Sequence, residues 1–291
     1  MQQTNNSVSY KVGVLDSGVG GLSILTEIMQ QAPDIELHYF ADNAFAPYGN
    51  LDTEQIQQRV LAVCRFFIEL KVDAIVIACN TATVEAIDFI RTSALIVENL
   101  IPIIGVEPAV KPAAITSSNG KVTVLATPVT CKSQRLNKLV EQHTHIQSGV
   151  INKIEFICLE SATLAFDIDY LPNTLNKVES EILRIREIMR TENSDTLVLA
   201  CTHYPLIKNL FAQHFDNHIE IIDPNNGVTL QLLHRLNYRA LKHSDKDTPD
   251  LSLYSSGLED YGVRLFDWIE RLLNNQSIGK PNIILATNCL T

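Results

Sequence analysis

Two segments of the chain nearly repeat each other, and each ends in a cysteine. The first is DAIVIACNT, over residues 73–81, and the second is DTLVLACTH, over residues 195–203, so that Cys79 and Cys201 are 122 residues apart. A short run rich in Val, Ile and Leu predicts a strand that is buried on both faces. Each cysteine therefore follows a strand, at the end where open α/β sheets bind ligands. If the two halves face each other, the thiols lie on opposite sides of one cleft.

Strand-like apolar runs alternate with segments of helical periodicity along the chain. From Ile56 to Leu70, apolar residues recur every three or four positions behind Asp52, a predicted N-cap. Two further helices are expected at residues 177–190 and 261–273. Eight strands are expected at residues 11–15, 36–40, 74–78, 101–106, 121–126, 153–159, 196–200 and 220–222. The alternation predicts an α/β fold of two similar domains, each a mostly parallel sheet flanked by helices, with the active site in the cleft between them.

The near-repeat also predicts how the chain is divided between the two domains. The first domain is expected to contain residues 1–99 and 211–291, and the second residues 100–210. The final helix is then expected to pack back on the first domain.

Composition and charge exclude several classes of protein. The chain has 291 residues, of which 46% are hydrophobic and 19% charged, as in a soluble globular protein. A net charge of −10 without a basic stripe argues against a nucleic-acid binder. The first eleven residues do not resemble a signal peptide, and no apolar run is long enough to span a membrane, so we expect a cytoplasmic protein. The six cysteines include no Cys-x-x-Cys pair, which predicts free thiols and no metal site.

A glycine-rich turn, GVLDSGVGGL at residues 13–22, follows the first predicted strand. Its glycines would let the backbone approach a ligand closely, or they would simply form a tight turn between a strand and a helix. The spacing does not match a dinucleotide fingerprint, because Ser23 stands where the third glycine is required. Asp16, at the end of the strand, is a candidate for an acid–base or orienting role.

The two repeated cysteines are candidate bases. A single cysteine is usually a small core residue, but here two cysteines share the same context at strand ends. A helix that begins next to a thiol favours the thiolate, which can accept a proton. His203, two residues after Cys201, could exchange protons with it. Two alternatives remain: a non-catalytic protein whose two lobes close on a small amino acid, and, less favoured, a redox thiol protein.

The chain resembles the glutamate racemases of the aspartate/glutamate racemase superfamily. The segments that carry the resemblance are residues 13–22, 41–49, 78–82, 105–109 and 201–206, with a weaker similarity at 253–257. The resemblance implies racemisation of glutamate without a cofactor, in which Cys79 acts on the D-enantiomer and Cys201 on the L-enantiomer. It implies that Asp16 assists Cys79 and that His203 assists Cys201.

The resemblance also implies a set of substrate contacts. They are Asp16, Ser17, Tyr48, Gly49, Asn80, Thr81, Thr202 and His203. Thr130 matches a further threonine on the substrate side, and Glu160 stands in the segment that bears an acidic residue. The expected partner is glutamate, favoured over aspartate, and the expected product D-glutamate serves bacterial peptidoglycan synthesis. No nucleic acid, membrane or metal is expected, and a homodimer is left open.

Overall fold

Ten strands form two parallel sheets in the part of the chain that the structure describes. The structure is a computed structural model, and it describes residues 10–145, 153–239, 250–257, 259–274, 282–287 and 289–290. The strands of the first sheet are β1 (Lys11–Asp16), β2 (Glu36–Ala41), β3 (Ala74–Ile77), β4 (Ile103–Gly105), β9 (Asp250–Ser255) and β10 (Asn282–Ala286), in the order β10-β9-β2-β1-β3-β4. The strands of the second sheet are β5 (Lys121–Ala126), β6 (Glu155–Glu160), β7 (Thr196–Ala200) and β8 (Glu220–Ile222), in the order β6-β5-β7-β8. The predicted α/β class with parallel sheets is confirmed.

Helices connect the strands and flank both sheets. They are α1 (Leu22–Gln31), α2 (Thr53–Glu69), α3 (Asn80–Thr92), α4 (Ala94–Asn99), α5 (Val110–Thr116), α6 (Pro128–Lys132), α7 (Gln134–His143), α8 (Leu164–Asp169), α9 (Leu175–Glu192), α10 (Lys208–His214), α11 (Asn225–Arg235) and α12 (Glu259–Asn274). The expected cap of α2 is present, because the Asp52 carboxylate accepts the Gln55 N–H at 2.8 Å and the Gln55 side chain accepts the Asp52 N–H at 3.0 Å. No helix in the described ranges is long and apolar enough to cross a membrane.

The chain crosses between the sheets one strand later than expected at both places. β4 pairs with β3 in the first sheet, so the first crossing follows Gly105 and not residue 99. β8 pairs with β7 in the second sheet, so the return follows Ile222 and not residue 210. Both strands have only three residues. A run this short does not reveal its sheet, because pairing depends on partners distant in the sequence.

One continuous core joins the two sheets. It contains Val14 of β1 and Leu197 of β7, both fully buried, together with Leu265 and Ile269 of α12. The final helix therefore packs on the first sheet, as predicted, where it contacts β9 and α1. This packing places α12 over the strand ends where the repeated cysteines lie.

The expectation of six free thiols is wrong for one pair. Cys131 in α6 and Cys158 in β6 form a disulfide, with Cα atoms 6.0 Å apart. The two residues are separated by 27 positions in the sequence and meet because β6 lies next to β5, which leads into α6. The free cysteines among the described residues are Cys64, Cys79, Cys201 and Cys289.

Candidate active site

A cavity of about 600 Å³ lies at the carboxyl ends of strands from both sheets. Its volume is within the range of small-molecule sites. Cys79 follows β3 of the first sheet and Cys201 follows β7 of the second, and both line the cavity. The other expected residues that line it are Ser17, Tyr48, Gly49, Asn80, Thr81, Thr202 and His203. Asp16 is fully buried behind this lining.

Cys79 is held at the start of α3, where it serves as the N-cap. Its Sγ accepts the Ala82 N–H at 3.5 Å and lies 3.7 Å from the Ser17 hydroxyl. Burial and the nearby charge of Asp16 raise the pKa of Cys79 to about 12, although the contacts with Ala82 and Ser17 lower it. The helix N-terminus was expected to lower the pKa of Cys79, but burial and the charge of Asp16 raise it by more. At neutral pH, Cys79 therefore carries its proton.

Asp16 connects the two halves of the site. One carboxylate oxygen, Oδ1, accepts the Gly18 N–H at 2.7 Å, and the other, Oδ2, accepts the Thr202 hydroxyl at 2.9 Å. Burial raises the pKa of Asp16, while the charge of His203 and these two hydrogen bonds lower it, and the net direction is upward. A carboxyl group with a raised pKa can exchange a proton closer to neutral pH.

His203 lies between a sulfur atom and a carboxylate. Its Nδ1 is 3.9 Å from the Sγ of Cys201, and its Nε2 is 3.7 Å from Oδ1 of Asp169. Burial lowers the pKa of His203, but Asp169 and Cys201 raise it well above its ordinary value. The raised pKa favours the protonated ring, which can supply a proton to the sulfur.

Asp169, at the end of α8, was missed by the sequence analysis. Glu160 was expected to be the acidic residue of this segment, but its side chain is half-exposed and pairs with Lys132 at 3.5 Å. Asp169 is buried, lines the cavity and accepts a hydrogen bond of 3.2 Å from the hydroxyl of Tyr261 in α12. In the sequence, Asp169 is simply an acidic residue in a mixed helical segment. This pattern does not reveal its contact with His203.

Three neighbouring threonines lie at the next part of the wall. Thr127 lines the cavity, and its hydroxyl lies 3.3 Å from that of Thr81 and 3.1 Å from that of Thr130. Thr130 is fully buried behind it. Thr127 therefore faces the cavity, whereas Thr130, which was expected on the substrate side, lies behind Thr127 and does not line the cavity.

Asn80 offers unpaired polar atoms to the cavity. Its side chain is 2% exposed, and neither its amide nitrogen nor its amide oxygen has a hydrogen-bond partner among the described residues. A buried polar group without a partner is costly, so a ligand that pairs with Asn80 would be favoured.

The glycines of the first turn allow close approach of the two halves. A Cβ atom on Gly20 would lie 2.5 Å from Nδ1 of His203 and 2.6 Å from the Thr202 hydroxyl. Only glycine fits at this position. Its small size lets the turn after β1 pack directly against the residues that follow β7.

The loop that carries Tyr48 and Gly49 is fixed by a buried ion pair. Arg59 of α2 donates to both oxygens of Asp42, at 2.9 and 2.7 Å, and the Tyr48 hydroxyl donates to the same carboxylate at 2.6 Å. The Arg59 guanidinium also lies 3.7 Å from the centre of the Phe45 ring. These contacts hold the wall of the cavity on the side of the first sheet.

Known proteins are similar to this chain in sequence and in fold. A family model described as Asp/Glu/Hydantoin racemase matches residues 13–230. The glutamate racemase of Stutzerimonas stutzeri is 38% identical over 253 residues, which cover 84% of this chain and 88% of the relative. The glutamate racemase of Pseudomonas aeruginosa is 39% identical over 240 residues, which cover 80% of this chain and 84% of the relative.

Solved structures agree with this assignment. Glutamate racemase RacE1 from Bacillus anthracis has a TM-score of 0.76 at 26% identity, with 97% of this chain and 98% of that chain covered. The Escherichia coli glutamate racemase, solved with L-glutamate and the activator UDP-MurNAc-ala, has a TM-score of 0.74 at 26% identity, with 96% and 99% covered. The chain therefore belongs to the Asp/Glu/Hydantoin racemase family, resembles its glutamate racemases, and is an amino-acid racemase.

Proposed function

We propose that this protein interconverts L-glutamate and D-glutamate without a cofactor, by transferring protons at two thiols. The observation that supports the proposal most directly is that Cys79 and Cys201 come from different sheets yet line one cavity. The proposal places the reaction in the cytoplasm and assigns its product to peptidoglycan synthesis.

In the proposed reaction, each thiol serves one face of the α-carbon. Cys79 removes the α-proton of D-glutamate while Cys201 donates a proton to the opposite face, and the roles reverse for L-glutamate. One sulfur must be thiolate while the other is thiol, so the pair titrates as a coupled system. The pKa of Cys79 is about 12, so this thiol becomes a base only when bound substrate and neighbouring groups favour its thiolate.

The α-proton is a very weak acid, so the site must stabilise the negative charge that develops in the transition state. Directed hydrogen bonds in a site that excludes water provide this stabilisation. The unpaired amide of Asn80 and the hydroxyl of Thr81, which both line the cavity, supply donors for the substrate carboxylates.

Substitution of each thiol tests the proposal. Cys79→Ser and Cys201→Ser should each reduce racemisation of glutamate to background. Cys64→Ala is a control, because Cys64 is also a buried free cysteine but lies on the core-facing side of α2, away from the cavity. Racemisation at the wild-type rate by either active-site variant would disprove the two-thiol mechanism.

Isotope exchange separates this enzyme from a binding protein. In deuterated water, the wild type should erase the α-proton signal of glutamate, with deuterium entering the product enantiomer before the recovered substrate. A protein that binds glutamate but exchanges no α-proton would contradict the proposed activity. A clear preference for aspartate in the same assay would contradict the proposed substrate.

Asp16 is proposed to assist Cys79, and His203 to assist Cys201, so replacing them should slow opposite directions of the reaction. Asp16→Asn should chiefly slow turnover of D-glutamate, and His203→Asn that of L-glutamate. The equilibrium between enantiomers is fixed at unity, so kcat/KM stays equal in the two directions and asymmetry appears in kcat and KM separately. Primary deuterium isotope effects on each enantiomer measure this. Identical changes for both enantiomers would leave Asp16 and His203 as residues that only hold the substrate.

A further inference from the structure

Arg264 of α12 is a cation at the cavity that the proposed reaction does not use. Of the described residues that line the cavity, it is the only lysine or arginine. The same lining carries the carboxylates of Asp169 and Asp260. Glutamate has a net negative charge at neutral pH, so these carboxylates oppose its entry, whereas the guanidinium favours it.

Two tyrosine rings hold Arg264 at this place. Its guanidinium carbon is 4.1 Å from the centre of the Tyr170 ring and 5.2 Å from that of Tyr261. Tyr261 precedes Arg264 by three residues, so both lie on one face of α12, and its hydroxyl bonds Asp169 beside His203. The rings therefore anchor the charge in the wall of the cavity without neutralising it.

Arg264 has its hydrogen-bond donors available. Within the described ranges, no carboxylate forms an ion pair with it and no side chain or carbonyl accepts a hydrogen bond from it. A guanidinium presents a planar fork of N–H groups that matches the two oxygens of a carboxylate.

We propose that Arg264 is a specificity-determining residue that draws the side-chain carboxylate of an acidic amino acid into the cavity. The inference rests on the proposed function and deepens it, because it names the group that favours a dicarboxylic amino acid over a neutral one. The charge acts on substrate affinity and not on proton transfer, so its loss changes KM and leaves kcat nearly unaltered.

A charge series at this position tests the inference. KM and kcat for both glutamate enantiomers are measured with Arg264→Lys, Arg264→Gln and Arg264→Glu, at low and at high ionic strength. KM should rise about threefold to tenfold in the Gln variant and further in the Glu variant. The Lys variant keeps the charge but loses the planar fork and the stacking, so its KM should lie between those of the wild type and the Gln variant. Added salt should reduce the differences, because Arg264 is partly exposed and dissolved ions screen its charge.

Arg271→Gln is the matched control. Arg271 lies on the same helix and packs over Trp268 at 5.7 Å, but it does not line the cavity, so this variant should keep the wild-type KM. An unchanged KM in Arg264→Gln would overturn the inference while leaving the racemase function intact. A Lys variant as impaired as the Gln variant would also overturn it, since stacking and not charge would then matter. A wild type that does not racemise glutamate would contradict the proposed function itself, and the inference with it.

Discussion

The hydroxyl of Thr202 donates a hydrogen bond of 2.9 Å to Oδ2 of Asp16 and so joins the strand end of one sheet to that of the other. Both residues are buried, at 2% and 0% exposure. A carboxylate oxygen at this depth has no water to replace a lost donor. The alignment of the two halves and the protonation of Asp16 are therefore linked through one hydroxyl.

Thr202→Val removes this hydroxyl while keeping the shape of the side chain. The Thr202 bond lowers the pKa of Asp16, so its loss should raise that pKa further and move the acidic limb of the kcat/KM profile to higher pH. The unpaired oxygen should also destabilise the fold by about 1–3 kcal/mol. Thr229→Val is the control, because the buried hydroxyl of Thr229 has no partner among the described residues. An unshifted pH profile for Thr202→Val would separate Thr202 from Asp16.

Asp169→Asn and Glu160→Gln distinguish the two candidate acidic residues. Asp169 raises the pKa of His203, so the Asn variant should lower that pKa, measurable by titration of the imidazole NMR signals. Racemisation should fall by about tenfold to a hundredfold if His203 must be protonated to serve Cys201. Glu160→Gln removes only a half-exposed contact with Lys132 and should stay within about twofold of wild type. The reverse ranking would restore Glu160 as the functional residue.

Local sequence patterns were sufficient to place the residues at strand ends. The buried runs before Cys79 and Cys201 correctly predicted β3 and β7, because a central parallel strand needs a continuous apolar segment. β9 and β10 were not among the expected strands. β9 has no continuous apolar run, and its place beside β2 depends on residues far away in the chain.

Contacts made across the fold could not be predicted in the same way. Asp169 contacts His203 over 34 sequence positions, and nothing in its own helix distinguishes it from Asp167. The pairing of Cys131 with Cys158 likewise follows from the order of β5 and β6 in the sheet. Both contacts depend on the arrangement of the strands in the sheets, which cannot be read from a single sequence.

Arg59→Gln should strongly destabilise the fold. It breaks a buried ion pair and leaves the carboxylate of Asp42, at 0% exposure, with the Tyr48 hydroxyl as its remaining side-chain partner. Removing one partner of a buried pair costs about 3–5 kcal/mol, measurable by denaturant unfolding. Arg65→Gln, at an exposed position of the same helix, should cost less than about 0.5 kcal/mol. Equal stabilities of the two variants would show that the Asp42–Arg59 pair does not hold the loop.

Protonation of His203 should make the stability of the protein depend on pH. Because its pKa in the folded state lies above the ordinary 6.5, the folded protein binds this proton more tightly than the unfolded chain does. The stabilisation is complete below pH 6.5 and is lost as the pH rises through the folded-state value. Each unit by which the pKa is raised corresponds to about 1.4 kcal/mol.

His203→Gln tests this linkage by comparing free energies of unfolding at several pH values. The wild type should exceed the variant most at pH 6 and least at pH 9, with the advantage declining between them, as about 1.4 kcal/mol per pKa unit predicts. His234→Gln removes an exposed histidine near the end of α11 and should show no such trend. An advantage that grows as the pH rises would mean that the folded state favours neutral His203. In that case the ring could not donate a proton to Cys201 in the resting site.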